Sequence, residues 1–211
     1  MSYYPIFLDL SDRRCAVIGG GAVAERKIAA LVHAGARVTV IAPELTANLA
    51  KWSQQQNINA VTRPYRAGDL AGYEIVFVAT DDRQVNAAVY EEGKRRGVWV
   101  NAADDPAHCD FILPSVLRRG ALTVAVSTGA TSPALSRIVR EELESFFSPD
   151  YKIVAELAAE VREELRARGI APEYEKWRQA LTGELRQWVK RGERRQAKDF
   201  LLKELGAIPC K

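Results

Sequence analysis

The sequence predicts an α/β protein, a parallel sheet covered by helices and followed by a helical tail. Three observations predict it. Short β-branched apolar runs alternate with stretches of helical character through the first half of the chain. A glycine cluster, Gly19-Gly20-Gly21, stands between the first such run and the first helical stretch. From Tyr151 onward the pattern is helical, with no strand signal.

The elements follow in order. Cys15–Ile18 is a short apolar run before the glycines and reads as a buried strand. Residues 22–33 have helical character. Arg37–Ile41 is a β-branched strand closed by Pro43, and 45–56 reads as a helix with Leu45, Leu49 and Trp52 on one face. Residues 58–62 form a weaker strand. The run 75–79 is apolar throughout, as a strand buried on both faces requires. Asp81 or Asp82 caps the next helix, which runs to Arg96 and stops at Gly97. Residues 98–100 are the next strand, and 122–127 one more. Ser132 then suits an N-cap and Pro133 the first helical position. Leu135, Ile138, Val139, Leu143, Phe146 and Phe147 follow at helical spacing. Breaks near 169–172 and at Gly192 divide the tail into three helices, with Trp177, Leu181, Leu185 and Trp188 on an apolar stripe. The expected domains are residues 1–113, a segment 114–148 that forms a dimer, and a helical domain 149–211.

Bulk composition excludes several classes. A net charge of +3 over 211 residues is too weak to imply nucleic acid. The basic stretch Lys190–Arg195 is diluted by Glu184, Glu193 and Glu204 and reads as a solvated helix end. No apolar run approaches the roughly 18–20 residues of a membrane span. Residues 1–10 lack the pattern of a secretory signal. Cys15, Cys109 and Cys210 are too widely spaced for a disulfide framework or a zinc site. A cytoplasmic location is expected.

Gly19-Gly20-Gly21-Ala22-Val23-Ala24 fits G-x-G-x-x-[GA], after a strand and opening a helix. Gly19 makes the tight turn, Gly21 lets backbone approach a pyrophosphate, and Ala24 lets helix and strand pack closely. The pyrophosphate then rests on free N–H groups at the helix N-terminus. A Rossmann-like, dinucleotide-binding domain is the reading. The second strand ends at Ile41, with Pro43 and Glu44 just beyond; either the Glu44 carboxylate or backbone near Pro43 can hold the ribose hydroxyls. Arg37 is at the wrong end of that strand to read a 2′-phosphate, so NAD is expected over NADP.

Several blocks resemble one known family. Pro5–Leu8 and Val17–Lys27 look like the opening of the bifunctional precorrin-2 dehydrogenase/sirohydrochlorin ferrochelatases. Ala79-Thr80-Asp81-Asp82, residues 100–104, residues 111–115 and residues 124–133 agree with it as well. The likeness covers roughly residues 3–147; the tail is alike only in being helical. It implies oxidation of precorrin-2 to sirohydrochlorin with NAD and, in some members, insertion of ferrous iron. It implies NAD contacts at Ala22, Val23, Pro43 and Glu44, with Thr80 in one of the shared blocks. It implies a homodimer, which the long apolar face 135–147 also favours. It places the acid/base aspartate at Asp104.

Asp104 follows the strand ending near Asn101, where open α/β sheets bind ligands. A carboxylate there can take the proton that dehydrogenation releases; the plainer alternative is a turn before Pro106. His108, beside Cys109, is a weak candidate for a metal ligand. Ser127 and Thr128 join a strand to a helix N-terminus and can bind a substrate carboxylate, as can Asn101, Arg118 and Arg137. Arg119 and Arg140 extend that basic set. The family often has serine where Thr128 stands and glycine where Ala130 stands. A second function class is a non-catalytic NAD-sensing regulatory module, which needs the glycine turn but not the 101–104 and 127–133 blocks together.

Overall fold

Apolar runs too short for helices, separated by helices with defined ends, build the first unit, Met1–Leu113. A computed structural model describes residues 3–103 and 105–207. The elements of this unit are β1 (Arg14–Ile18), α1 (Ala22–His33), β2 (Arg37–Ile41), α2 (Ala47–Gln54), β3 (Asn59–Val61), β4 (Ile75–Val78), α3 (Arg83–Arg96) and β5 (Trp99–Ala102). The strands form one parallel sheet in the order β3-β2-β1-β4-β5. Cys15 pairs with Val38 on one side and Ile75 on the other, so β1 is central.

Successive strand residues face opposite sides, and two cores result. Cys15, Val17, Val38, Val40 and Phe77 pack with Ile28, Leu31 and Leu49 of α1 and α2. Ala16, Ile18, Val76, Val78 and Val100 pack with Val89 of α3 on the other face. Full burial pushes the Cys15 thiol up to about 11, so it is protonated at neutral pH. Asp82 caps α3 by accepting from Gln84 N at 2.8 Å and Val85 N at 3.2 Å. The Glu92 carboxylate, 2% exposed, ties α3 to the loop after β3: it accepts from Tyr65 Oη at 2.5 Å, Gly68 N at 2.8 Å and Arg96 Nε at 2.6 Å.

Two expected boundaries move for tertiary reasons. The helix expected from Leu45 starts at Ala47 because Thr46 is its cap, with Oγ1 accepting from Leu49 N at 3.2 Å. The last strand runs on to Ala102 because β4 continues alongside it and Cys109 bridges back to Asn101.

The second unit, Pro114–Lys211, holds β6 (Ser115–Arg119), β7 (Leu122–Val126), α4 (Pro133–Phe146), α5 (Tyr151–Ala167), α6 (Tyr174–Ala180), α7 (Glu184–Lys190) and α8 (Arg194–Glu204). The strand expected at 122–127 is no sixth member of the parallel sheet. It pairs antiparallel with β6, a strand that the charged sequence Ser-Val-Leu-Arg-Arg hides. The expected dimer-forming segment and helical tail share this unit. Among the described residues the tail has four helices where three are expected, because Gly183, at φ +67°, splits α6 from α7. The apolar stripe survives that break: Trp177, Leu181, Leu185 and Trp188 all join a core around Leu157, Val161 and Leu201. Arg194 pairs with Glu156 and Glu160, so part of the basic stretch neutralises carboxylates of its own chain. No helix among the described residues is long and apolar enough to cross a membrane.

Candidate dinucleotide site

The site is built where β1, β2 and β4 end. Gly19 takes a left-handed φ of +117°, and a β-carbon on it would stand 2.2 Å from Ala79 O and 3.3 Å from Thr80 N. Only glycine fits there. Thr80 is thereby held against the turn, its Oγ1 accepting from Asp82 N at 3.2 Å. Gly20, an unconstrained position in the motif, is just as confined: a β-carbon would meet Glu44 O at 2.0 Å. Thr46 N donates to Gly20 O at 3.0 Å and locks the two loops together.

Gly21 differs. Its backbone is extended, at φ −86° and ψ −171°, and a β-carbon would meet nothing within 4 Å. The protein itself makes no demand for glycine there. The open space in front of it is where a close-lying pyrophosphate needs a residue without a side chain. Gly21 is the N-cap of α1, and no side chain caps the helix. The N–H groups of Ala22 and Val23 therefore face that space without intrahelical partners. Ala22 and Val23 are exposed, and Ala24 is fully buried against the sheet. These residues fit a dinucleotide. Pro43 and Glu44 are exposed beside the turn, at the mouth of β2.

Two charged residues of α1 matter here beyond the motif. Glu25 accepts from Thr46 Oγ1 at 2.5 Å and Asn48 Nδ2 at 2.8 Å, and these donors hold its carboxyl below the usual range. An acidic residue in the first turn of a helix was the available signal. Lys27 donates to Asn101 Oδ1 at 2.9 Å and lies over the Phe77 ring, 5.2 Å from its centroid. A lysine beside the buried positions Ala24 and Ile28 points to a partner within the fold.

Asn101, at the end of β5, is 6% exposed. Its Nδ2 donates to Phe111 O at 2.9 Å, and its Oδ1 takes the Lys27 ammonium. Its amide thus orders the strand exit. Asp104, the expected acid/base residue, lies outside the described residues. Beyond it Asp105 Oδ2 stands 2.6 Å from His108 Nδ1, and the Tyr90 ring is edge-on to His108 at 5.1 Å. Asp105 is thus the partner of the candidate ligand histidine. Among the described residues no three His, Cys, Asp or Glu side chains form a metal cluster. Cys109 is held by Ala102: its Sγ donates to Ala102 O and accepts from Ala102 N, each at 3.2 Å.

The remaining candidates belong to the second unit. Ser127 is exposed, and its Oγ accepts from Gly129 N at 3.1 Å. Thr128 Oγ1 donates to Ser132 O at 2.9 Å and accepts from Ser132 N at 3.1 Å, so this hydroxyl shapes the loop. Arg118 is exposed on β6. Arg137 is exposed and pairs with Glu141 one turn on. Arg119 caps the end of α4 through Phe147 O at 2.7 Å, and Arg140 pairs with Glu141 and Glu144.

Known proteins resemble the chain along most of its length. The siroheme synthase of Nitrosococcus oceani is 38% identical over 203 residues, 95% of this chain and 43% of that protein. The siroheme synthase of Methylococcus capsulatus is 39% identical over 98% of this chain and 44% of its own length. The chain thus spans less than half the length of these relatives. A solved structure of SirC, precorrin-2 dehydrogenase, superposes with a TM-score of 0.76 at 25% identity, covering 98% of this chain and 100% of that one. Residues 119–145 match the central segment of sirohaem biosynthesis proteins. Residues 6–115, just over half of the chain, match the putative NAD(P)-binding family, and the chain belongs to that family.

Proposed function

We propose that the chain is an NAD-dependent dehydrogenase that oxidises precorrin-2 to sirohydrochlorin. The observation that carries this reading is the open, uncapped N-terminus of α1 behind Gly21, within a chain of which 98% superposes on SirC. The likeness to siroheme synthases supports the same reaction and gives no support to a regulatory module. Precorrin-2 and NAD yield sirohydrochlorin, NADH and a proton.

NAD, when bound, supplies the hydride acceptor. The N–H groups of Ala22 and Val23 bind its pyrophosphate. Glu44 and the backbone at Pro43 hold the adenosine ribose at the mouth of β2. Thr80, fixed against Gly19, borders the same cleft on the β4 side. Asp104, following β5, accepts the proton that leaves the macrocycle. Ser127, Arg118 and Arg137 receive substrate carboxylates, for which arginine forks are suited.

The protein acts as a homodimer in this reading. Leu135, Ile138 and Phe146 of α4 are 50%, 51% and 63% exposed, an apolar face that a second copy covers. A further step we propose for the same pocket is insertion of ferrous iron into sirohydrochlorin after oxidation, with release of the two pyrrole N–H protons that the metal displaces. Purified protein with precorrin-2 and NAD is the test of the dehydrogenase, with sirohydrochlorin absorbance and NADH read together. NAD binding without turnover would favour the sensor module. Ferrous insertion into sirohydrochlorin is assayed separately, and sedimentation of an Ile138→Glu variant tests the dimer.

A further inference from the structure

The mouth of β2 carries a charge arrangement that bears on which dinucleotide enters. Glu25 projects from the first turns of α1 to the β2–α2 loop and the start of α2, where Thr46 and Asn48 fix it. Glu44 stands exposed in the same loop and forms no ion pair among the described residues. Two carboxylates are thus set at the end of β2, the strand end near which an adenosine ribose lies in a fold of this kind.

The neighbouring strand brings a cation to the same edge. β3 pairs with β2 up to Ile41 and Val61, and Ala42 N donates to Val61 O at 3.2 Å. Arg63 is two residues past Val61, with its own N–H on Val61 O at 3.0 Å, so it leaves the sheet at the same end as the chain leaving β2. A nearby arginine is the usual means of accommodating a 2′-phosphate. Here it is engaged elsewhere. Arg63 Nη1 meets Asp69 Oδ2 at 2.6 Å and Nη2 meets Oδ1 at 2.7 Å, a two-pronged pair, and Nη1 also donates to Pro64 O at 2.9 Å. Asp69 is held in turn by Arg66 N at 2.8 Å. The pair is half sheltered, with side chains 31% and 12% exposed. Arg66, the other cation of this loop, is exposed and lies farther along, at the turn that Asp69 N closes on Arg66 O.

We propose that Glu25 and the Arg63–Asp69 pair set cofactor choice, by facing a 2′-phosphate with fixed negative charge and by withholding the guanidinium that would receive it. Selection against NADP then comes from repulsion of the extra phosphate more than from added attraction to NAD. The inference rests on the reading of this cleft as a dinucleotide site.

Titration of the full chain with NAD and with NADP tests it, on the wild type, Glu25→Gln, Asp69→Asn and the double variant. Glutamine still accepts from Asn48 Nδ2 through its amide oxygen and can donate to Thr46 Oγ1 through its amide nitrogen, while the charge is removed. Asparagine removes the charge that engages Arg63. Each single change is expected to narrow the NAD-to-NADP affinity ratio by about tenfold, and the double variant by more, while NAD affinity changes about threefold or less. A purely structural role would weaken both dinucleotides together and leave the ratio in place. Thermal unfolding of each variant establishes that it is folded. Tight NAD binding with an unchanged ratio in folded variants overturns the inference alone. Binding of neither dinucleotide by the wild type overturns the dehydrogenase reading as well.

Discussion

Gly20 lies so close to Glu44 that a β-carbon on it would stand 2.0 Å from the Glu44 carbonyl oxygen. The glycine turn and the β2–α2 loop are thus packed backbone to backbone, and neither can shift alone. Gly20→Ala must push the loop off the turn. It is expected to weaken NAD binding tenfold or more and to cost on the order of 2 kcal/mol of stability. Titration with NAD and denaturant unfolding check both.

Lys27 and Asn101 join the nucleotide helix to the end of β5 through a 2.9 Å hydrogen bond. Removing the amide leaves the Lys27 ammonium without this acceptor and Phe111 O without this donor. Asn101→Ala is expected to destabilise the first unit by about 1–3 kcal/mol. Turnover of precorrin-2 should fall further than NAD affinity, because the strand exit leads to Asp104. Unfolding curves and steady-state kinetics separate the two effects.

Glu92 gives the first unit an acid dependence. Burial pushes its carboxyl up, but donors from Tyr65, Gly68, Arg96 and Leu70 outweigh burial and hold it below the ordinary value of 4.5. A carboxyl depressed in the folded state adds stability above the unfolded value and loses it as pH falls through the folded one. Stability should therefore decline below about pH 4.5, in part through Glu92. Glu92→Gln is expected to cost roughly 2–4 kcal/mol at neutral pH and to flatten this decline. Urea midpoints at neutral pH and at about pH 4 measure it.

Ala130 sits at φ +67° in the loop between β7 and α4. A β-carbon in that region costs about 1 kcal/mol, and glycine has no such penalty. Ala130→Gly is expected to leave stability unchanged or to raise it by up to about 1 kcal/mol, the relief of strain outweighing the greater freedom of the unfolded chain. Thermal unfolding decides the sign.

Much of this fold was legible because local pattern and tertiary role agree. The run Ile75–Val78 reads as a doubly buried strand and is one. Asp82 and Gly97 bound their helix as their chemistry requires. β6 was not legible, since Arg118 and Arg119 interrupt its apolar pattern and only its hairpin partner β7 makes it a strand. The break at Gly183 was hidden by an apolar stripe that runs across it. In the site, glycine spacing located the turn, but spacing carries no information on what Gly20 touches. Glu25, Lys27 and the Arg63–Asp69 pair take their meaning from neighbours far off in sequence or across a loop. Asn101 was placed correctly at a strand end, yet its internal partners could not be read from the chain.

The dehydrogenase assignment is decided by single-turnover oxidation of precorrin-2 at saturating NAD, with wild type and Asp104→Ala side by side. The wild type is expected to form one NADH per sirohydrochlorin. The variant is expected to keep its NAD affinity and lose turnover by at least about a hundredfold, the contribution of a positioned proton acceptor. A wild type that binds NAD without forming sirohydrochlorin, or a variant as active as the wild type, would contradict the assignment.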